Sequence, residues 1–280
     1  MNRLSVVRQT AVVGALVEGN SIRATCRMTG TAKGTVLRLL ESIGAVASAY
    51  QHEHLRGLTC RRIQADEIWS FVGAKARNVP DERKGEYGIG DVWTWVAMDA
   101  DTKLVPSWLV GLRDAGYAYE LMMDLAERLE HRVQLTTDGH RPYLEAVEAA
   151  FGSNIDYAML VKLYGQPPES EQRRYSPAHC IGAIQHTVAG NPDYGHVSTS
   201  YIERQNLTMR MSMRRFTRLT NAFSKKVENL EHAVALHFMN YNYARPHSSL
   251  GNMTTPAMAA GVSDHVWSVE EIVRLLPDSN

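Results

Sequence analysis

Residues 5–44 repeat their apolar positions at helical spacing. Val6, Val7, Thr10, Val13 and Leu16/Val17 predict one helix, and Gly19-Asn20-Ser21 supplies a stop and a new cap. A short segment from Ile22 to Met28 ends at Thr29-Gly30-Thr31. A third, Ala32 to Ile43, places Val36, Leu39, Leu40 and Ile43 on one side. Three short helices with a glycine turn before the last predict a helix-turn-helix. Its third helix would present Lys33, Thr35 and Arg38 outward. A small bundle that binds nothing, or a dimerisation arm, would share this pattern. Residues 45–60 have mixed polarity and no clear period, and read as a linker.

From Arg61 the period shortens to that of strands. Ile63–Val72, Val92–Met98 and Leu104–Leu112 predict three consecutive strands, with Asp99 and Asp101 in the turn before the third. A helix over Tyr117–His131 follows, then a short strand Val133–Thr137 and a helix Pro142–Phe151 that begins on proline. A fifth strand, Ile155–Tyr164, and a long helix, Ser200–Thr217, complete the run. Strand, strand, strand, helix, strand, helix, strand, helix is the element order of an α/β, ribonuclease-H-like fold. It has a mixed sheet with helices on both faces, preceded here by a small all-helical domain. The expected division is 1–57 for the helix-turn-helix and linker, 58–250 for the sheet domain and 251–280 for a C-terminal helical tail. Residues 166–200 form an irregular, proline-bearing insertion. In the tail, Ser268-Val-Glu-Glu271 fits a capping box that opens a last helix, Val269 to Leu276.

Composition adds exclusions. The 280 residues are 44% hydrophobic and 21% charged, with ordinary glycine and proline, so collagen-like and disordered classes are out. Three scattered cysteines, Cys26, Cys60 and Cys180, make neither a disulfide framework nor a paired-cysteine zinc site. His179, Cys180 and His186, like His52, His54 and Cys60, read as ordinary residues before they read as zinc ligands. The start lacks the apolar run of a signal peptide and no stretch is long enough to span a membrane. The expected setting is a reducing cytoplasm, without a membrane partner.

Charge changes the picture most. Lys+Arg and Asp+Glu each number 30, which argues against a nucleic-acid partner until the charges are located. Residues 1–62 carry +6, residues 63–165 carry −7 and residues 201–250 carry +5. Neutrality is therefore a cancellation between two basic blocks and an acidic middle.

The acidic middle holds the candidate chemistry. Asp66 sits within the first strand, Asp138 just past the fourth, and Glu203 in the first turn of the helix after the insertion. Carboxylates from separate elements that converge on one point suit magnesium, a hard cation bound by oxygen, and two such ions promote phosphoryl transfer. Each residue has a plainer reading: Asp66 on a solvent-facing edge, Asp138-Gly139 as a turn, Glu203 in a capping box with Ser200. Strand alternation turns Glu67 away from Asp66 and demotes it as a co-ligand. After Glu203, Arg210 lies two turns along the same helix face and Arg214 continues it, with Arg204, Arg215 and Arg218 alongside. Such a stripe suits a phosphate backbone, or is simply a solvated basic face.

Together Gln64-Ala-Asp-Glu-Ile-Trp-Ser-Phe-Val-Gly-Ala-Lys75, Thr136-Thr-Asp-Gly-His140, Thr199-Ser-Tyr-Ile-Glu-Arg-Gln-Asn-Leu-Thr-Met-Arg210 and Asn240-Tyr-Asn-Tyr-Ala-Arg-Pro-His247 resemble the DDE transposases of small bacterial insertion sequences. The insertion-sequence-one family is the nearest match. Gly19–Gly30 resembles the helix-turn-helix such enzymes set on their inverted repeats. The resemblance implies that Asp66, Asp138 and Glu203 bind two magnesium ions, with manganese able to substitute. Water and then a DNA 3′-hydroxyl would attack phosphodiesters there. It implies DNA contacts from Lys33, Thr35, Arg38, Arg204, Arg210, Arg214 and Arg215. It further implies double-stranded DNA partners (element ends and target), a homo-oligomer on DNA, and a bacterial, nucleoid-associated protein. Two departures stand out: no cysteine-rich zinc module precedes the helix-turn-helix, and the interval from Asp138 to Glu203 is long. A DNA-binding repressor with a structural or degenerate sheet domain is the alternative, and a nuclease without strand transfer a third.

Overall fold

The structure is a computed structural model that describes residues 4–165, 179–217 and 220–277. Its centre is a six-stranded sheet ordered β3-β2-β1-β4-β5-β6. The strands are β1 (Arg62–Val72), β2 (Gly90–Asp99), β3 (Ser107–Gly111), β4 (Val133–Thr137), β5 (Ile155–Gly165) and β6 (His179–Ala189). β1 to β3 pair antiparallel, β4 and β5 join parallel to β1, and β6 returns antiparallel at the edge. The predicted ribonuclease-H-like α/β fold is the observed one. The expected irregular insertion 166–200 is corrected in part: residues 179–189 are a regular strand, while residues 166–178 lie outside the described residues. The pairing of Val161, Leu163 and Tyr164 with Ile184, Gly182 and Cys180 extends the ladder past the apolar core, so the segment lacks a buried-strand pattern.

Side-chain period two divides the core between the sheet's faces. Ile63 and Ala65 of β1 and Trp95 and Ala97 of β2 face α4 (Ala115–Arg128) and α5 (Pro142–Phe151). Ile68, Val72, Val92 and Val96 face the opposite way, against Ile202 and Met209 of α6 (Ser200–Ser212) and Leu230 and Val234 of α7 (Val227–Met239). Trp95 is fully buried and donates its indole N–H to the Leu112 carbonyl at 2.9 Å, so its polar edge is satisfied. α7 lay in a basic stretch that gave no sequence prediction. Its apolar positions run almost continuously from Val234 to Met239 because that turn is buried on all sides.

At the N-terminus, α1 (Val6–Val17), α2 (Ile22–Thr29) and α3 (Lys33–His54) are the three predicted helices. The face of α1 is shifted: Val7 is 76% exposed, while Gln9, Val12, Val13 and Val17 are buried. Between α2 and α3, Gly30 takes φ +61, the left-handed stop that ends a helix at little cost for glycine. The predicted linker 45–60 is corrected over residues 45–54, which continue α3. Ala47 and Gln51 extend the stripe of Val36, Leu40 and Ile43, but a small and a polar residue hide its period. Gln51 is buried and tied on three sides. Its amide donates to the Ala47 carbonyl at 3.0 Å and the Ala235 carbonyl at 3.2 Å, and its oxygen accepts from Asn242 at 3.2 Å. α3 and α7 approach so closely at Gly44 that a β-carbon there would lie 2.4 Å from that of His232.

The tail contains α8 (Pro256–Ala259) and α9 (Val269–Arg274). The capping box is present in both directions: Ser268 Oγ accepts the Glu271 N–H at 3.1 Å and Glu271 Oε2 accepts the Ser268 N–H at 2.7 Å. α9 packs on α1 and α3. No helix among the described residues is long and apolar enough to cross a membrane.

Candidate functional site

β1 is an inner strand, so Asp66 does not lie on a solvent-facing edge. Parallel pairing with β4 ends at Ala65↔Thr137, which sets Asp66 and Asp138 side by side just beyond the last rung. Past that rung no β4 backbone separates the two faces of β1. The expectation that Glu67 turns away is therefore corrected: Asp66, Glu67 and Asp138 each offer a carboxylate oxygen within 4.8 Å of the others. Alternation still sends Glu67 toward α5, but its longer side chain returns to the open end of the strand pair.

These three acids have different surroundings. Asp66 Oδ1 accepts the Glu67 N–H at 2.8 Å and Oδ2 accepts Asn206 Nδ2 at 2.8 Å. Burial, then the charges of Glu67, Asp138 and Glu203, push its carboxyl up to about 7 despite that backbone hydrogen bond. The Glu67 side chain is 1% exposed and meets Arg113 Nε at 3.0 Å through Oε2. Its carboxylate and the fully buried Tyr143 hydroxyl of α5 face each other, and each shifts the other's titration. Burial raises the Glu67 carboxyl above its ordinary value and the Asp138 charge adds to the rise, while the Tyr143 hydroxyl and then Arg113 oppose it. Asp138 accepts the His140 N–H at 2.9 Å, the local turn bond its Asp-Gly sequence suggested, and Arg113 lies 3.9 Å from its other oxygen. The turn and the candidate ligand are thus the same residue.

Glu203 lines the same cleft of about 590 Å³ as Asp66 and Asp138, with Lys162, Arg113 and His140 around it. It is not within the 4.8 Å cluster. The capping-box alternative does not describe it: the helix cap is Thr199, and the Glu203 carboxylate reaches no backbone N–H. Instead Oε1 accepts the Thr199 hydroxyl at 2.5 Å and pairs with Lys162 of β5. Two residues that carried no sequence prediction hold α6 in place. Gln64 Oε1 accepts the Tyr201 and Ile202 N–H groups, each at 3.0 Å, capping the helix from β1. Asn206, one turn beyond Glu203, is the Asp66 partner. The available signal was that Gln64 shares the Asp66 face of β1.

The basic stripe is shorter than predicted. α6 ends at Ser212, Met213 is extended, and Arg214–Phe216 form a separate 3-10 turn. Arg214 is exposed but off the helix face. Arg215 is corrected more strongly: it turns inward, donates to Ser224 Oγ at 2.6 Å, and burial lowers its guanidinium to about 10. Arg218 lies outside the described residues. Arg204 is exposed and Arg210 half-buried on α6. On α3, Lys33 and Arg38 are exposed and Thr35 half-buried, with Arg38 Nη2 3.5 Å from Thr35 Oγ1. Asp99 is a turn residue, its Oδ2 accepting Thr102 N–H and hydroxyl at 3.0 and 2.6 Å, and Asp101 pairs with Arg62. Cys60 is buried and Cys180 exposed, and the acidic trio is the metal-competent cluster found among the described residues.

The donor set fits a hard divalent cation. It supplies carboxylate oxygens from three residues within 4.8 Å of one another, and contains no sulfur or imidazole ligand. Residues 197–256 match the model of an integrase core domain. No curated protein matches the sequence. A solved structure that is similar is a cryo-EM piggyBac transposase synaptic complex with hairpin DNA, at 11% identity and a TM-score of 0.40, covering 97% of this chain and 70% of that one. The integrase-core match takes in Glu203, Asn206, α7 and the Arg245-Pro-His247 segment.

Proposed function

We propose that this chain is a DNA transposase that cleaves and joins strands at a metal-dependent DDE site formed by Asp66, Asp138 and Glu203. The observation that carries the reading is their meeting in one cleft from β1, the end of β4 and the first turn of α6, in a chain whose residues 197–256 match an integrase core. Magnesium, or manganese in its place, would supply Lewis acidity at the phosphorus and a lowered pKa for the attacking oxygen. Asp66 and Asp138 supply its oxygen ligands, with Glu203 facing them across the cleft. Glu67 adds negative charge behind Asp66, and Lys162 balances Glu203.

In the first reaction a water oxygen bonds to phosphorus as the bond to the 3′-oxygen breaks, and that oxygen leaves as a hydroxyl. In the second, the freed 3′-hydroxyl loses its proton to solvent and bonds to a target phosphorus, as the bond to the target 3′-oxygen breaks and that oxygen takes up a proton to leave as a hydroxyl. Lys33, Thr35 and Arg38 on α3 read the element ends as the second helix of a helix-turn-helix. Arg204, Arg210 and Arg214 hold phosphates beside the cleft. Arg215 is withdrawn from that set. Joining two ends calls for more than one copy of the chain on DNA.

The test is cleavage of DNA carrying the sequences that flank the gene, in magnesium, by wild type and by Asp138→Asn. Wild type should release 3′-hydroxyl ends and join them to target, and the variant should bind these ends while cleaving none. Equal activity of the two would sink the assignment. Tight specific binding by an inert wild type would favour the repressor.

A further inference from the structure

The Arg245-Pro-His247 segment has no part in the carboxylate cleft, yet it lies against the helix that carries Glu203. Arg245 Nη1 donates to Ser212 Oγ at 3.0 Å, at the far end of α6. At the near end, Lys103 from the β2–β3 turn sits 3.3 Å from the centre of the Tyr201 ring. Tyr201 and Arg204 are three residues apart, on one face of α6. His247 follows Arg245 by two residues. Its ring packs edge-on to Tyr241 at 6.2 Å and its Nδ1 is 2.9 Å from Ser249 Oγ. Burial, then the charges of Lys103, Arg245 and Arg204, hold its imidazole below the ordinary value.

Positive charge gathered this densely is normally offset by carboxylates. Among the described residues neither Arg204 nor Arg245 has a carboxylate within ion-pair distance, and both are exposed. Lys103 is 6% exposed, donates to the Ala100 carbonyl and has the Asp99 charge near it, so its own charge is partly offset beneath the surface. Glu203 faces the other way, toward Lys162.

We infer that Arg204, Arg245 and His247 form a phosphate track along the outer side of α6, fitted to the backbone of a DNA strand that passes the carboxylate cleft. The inference rests on the reading of the chain as a DNA-processing enzyme. From Arg204 to Ser212 the helix rises about 12 Å, the length of roughly three to four nucleotides along one strand of duplex DNA. Arg204 and Arg245 contact phosphates at the two ends, and the His247 imidazole, two residues after Arg245, offers a further N–H donor. The buried Lys103 holds the Tyr201 ring beside the track. Such contacts carry no sequence information and fix where the strand lies relative to Glu203.

Binding of the full chain to a fluorescent 30-base-pair duplex of random sequence, in EDTA so that no strand is cut, tests the track. Affinity is measured against potassium chloride concentration. Each lost phosphate contact should make the plot of log affinity against log salt shallower by about 0.9. Arg245→Gln, which can still reach Ser212, and Arg204→Gln should each show that loss, and the double variant about twice it. Arg245→Lys should keep the wild-type slope, as should Arg274→Gln, whose parent residue pairs with Glu270 on α9. Unchanged slopes in Arg245→Gln and Arg204→Gln, with wild type binding duplex, overturn the track and leave the transposase reading standing. A wild type that binds no duplex overturns both. A wild type that binds with the expected slopes but never cleaves flanking DNA in magnesium overturns the enzyme alone.

Discussion

Asn206 Nδ2 donates to Asp66 Oδ2 at 2.8 Å, which ties α6 to β1 beside the residue proposed as the first metal ligand. Gln64, two residues earlier on the same face of β1, accepts the Tyr201 and Ile202 N–H groups. Glu203 lies between the two attachments, so its position relative to Asp66 is set by this pair of amides. Gln64→Leu should remove both bonds at the helix start and leave two N–H groups unpaired. A loss of about 1–3 kcal/mol is expected in chemical denaturation. Single-turnover cleavage should fall by about 10- to 100-fold, the usual effect of misplacing a metal ligand through its supporting group. Gln64→Glu keeps the acceptor and should recover most of the stability. Full cleavage by a correctly folded Gln64→Leu would show that α6 is positioned by its apolar face alone.

The strands and the candidate triad were legible because their signals are local. Period-two alternation marked β1 and β2, the Asp-Gly turn marked the end of β4, and a polar residue within an apolar strand marked Asp66. What escaped depended on packing between distant segments. Gln51 read as linker because its three partners lie on its own helix, on α7 and at Asn242. Arg215 read as a surface cation because the break at Met213, which turns it inward, has no proline or glycine to announce it. Glu67 was set aside by a rule that holds inside a sheet, and it fails at this position because β4 stops one residue short.

Divalent cation should stabilise the folded chain without DNA. Asp66 and Asp138 repel each other and Glu67 when empty of counter-charge, and a bound ion relieves that repulsion. At a hundredfold excess over its dissociation constant, magnesium or manganese should add about 2.7 kcal/mol, read as a rise in melting temperature. Asp138→Asn should be less responsive to either ion while losing little stability of its own. An equal rise in the variant would place the ion elsewhere.

Gly44 marks where α3 and α7 nearly touch. A β-carbon at this position would stand 2.4 Å from His232 Cβ and 2.6 Å from its carbonyl oxygen. Neither contact is the yielding end of a flexible side chain, so the helices must separate. Gly44→Ala should therefore destabilise the protein by about 1–3 kcal/mol despite alanine's better helix propensity. Gly34→Ala, in the same helix with only the end of Arg38 nearby, should be neutral or slightly stabilising. Equal melting temperatures for both variants would mean that α3 docks less closely than described.

The raised Asp66 carboxyl gives the metal-free protein a distinctive pH dependence. Burial and three neighbouring carboxylates hold it at about 7 in the folded chain, against 3.8 as the ordinary value. Between these values the folded state keeps the proton that the unfolded state has lost. Stability must therefore fall as pH rises from about 4 to about 7, and flatten beyond. At most the fall amounts to about 4 kcal/mol, the free energy of that interval in pKa. Asp66→Asn removes it, so the difference between wild-type and variant denaturation curves isolates this carboxyl from Asp124 and Asp156, whose lowered values act in the opposite sense. Glu67→Gln removes the largest neighbouring charge and should shift the window downward. With metal present the trend reverses, because binding must expel the proton. The stabilisation conferred by magnesium should grow with pH to about 7 and then level off, with close to one proton released per site below that point. A metal response independent of pH between 5 and 8 would mean that Asp66 does not ligate the ion.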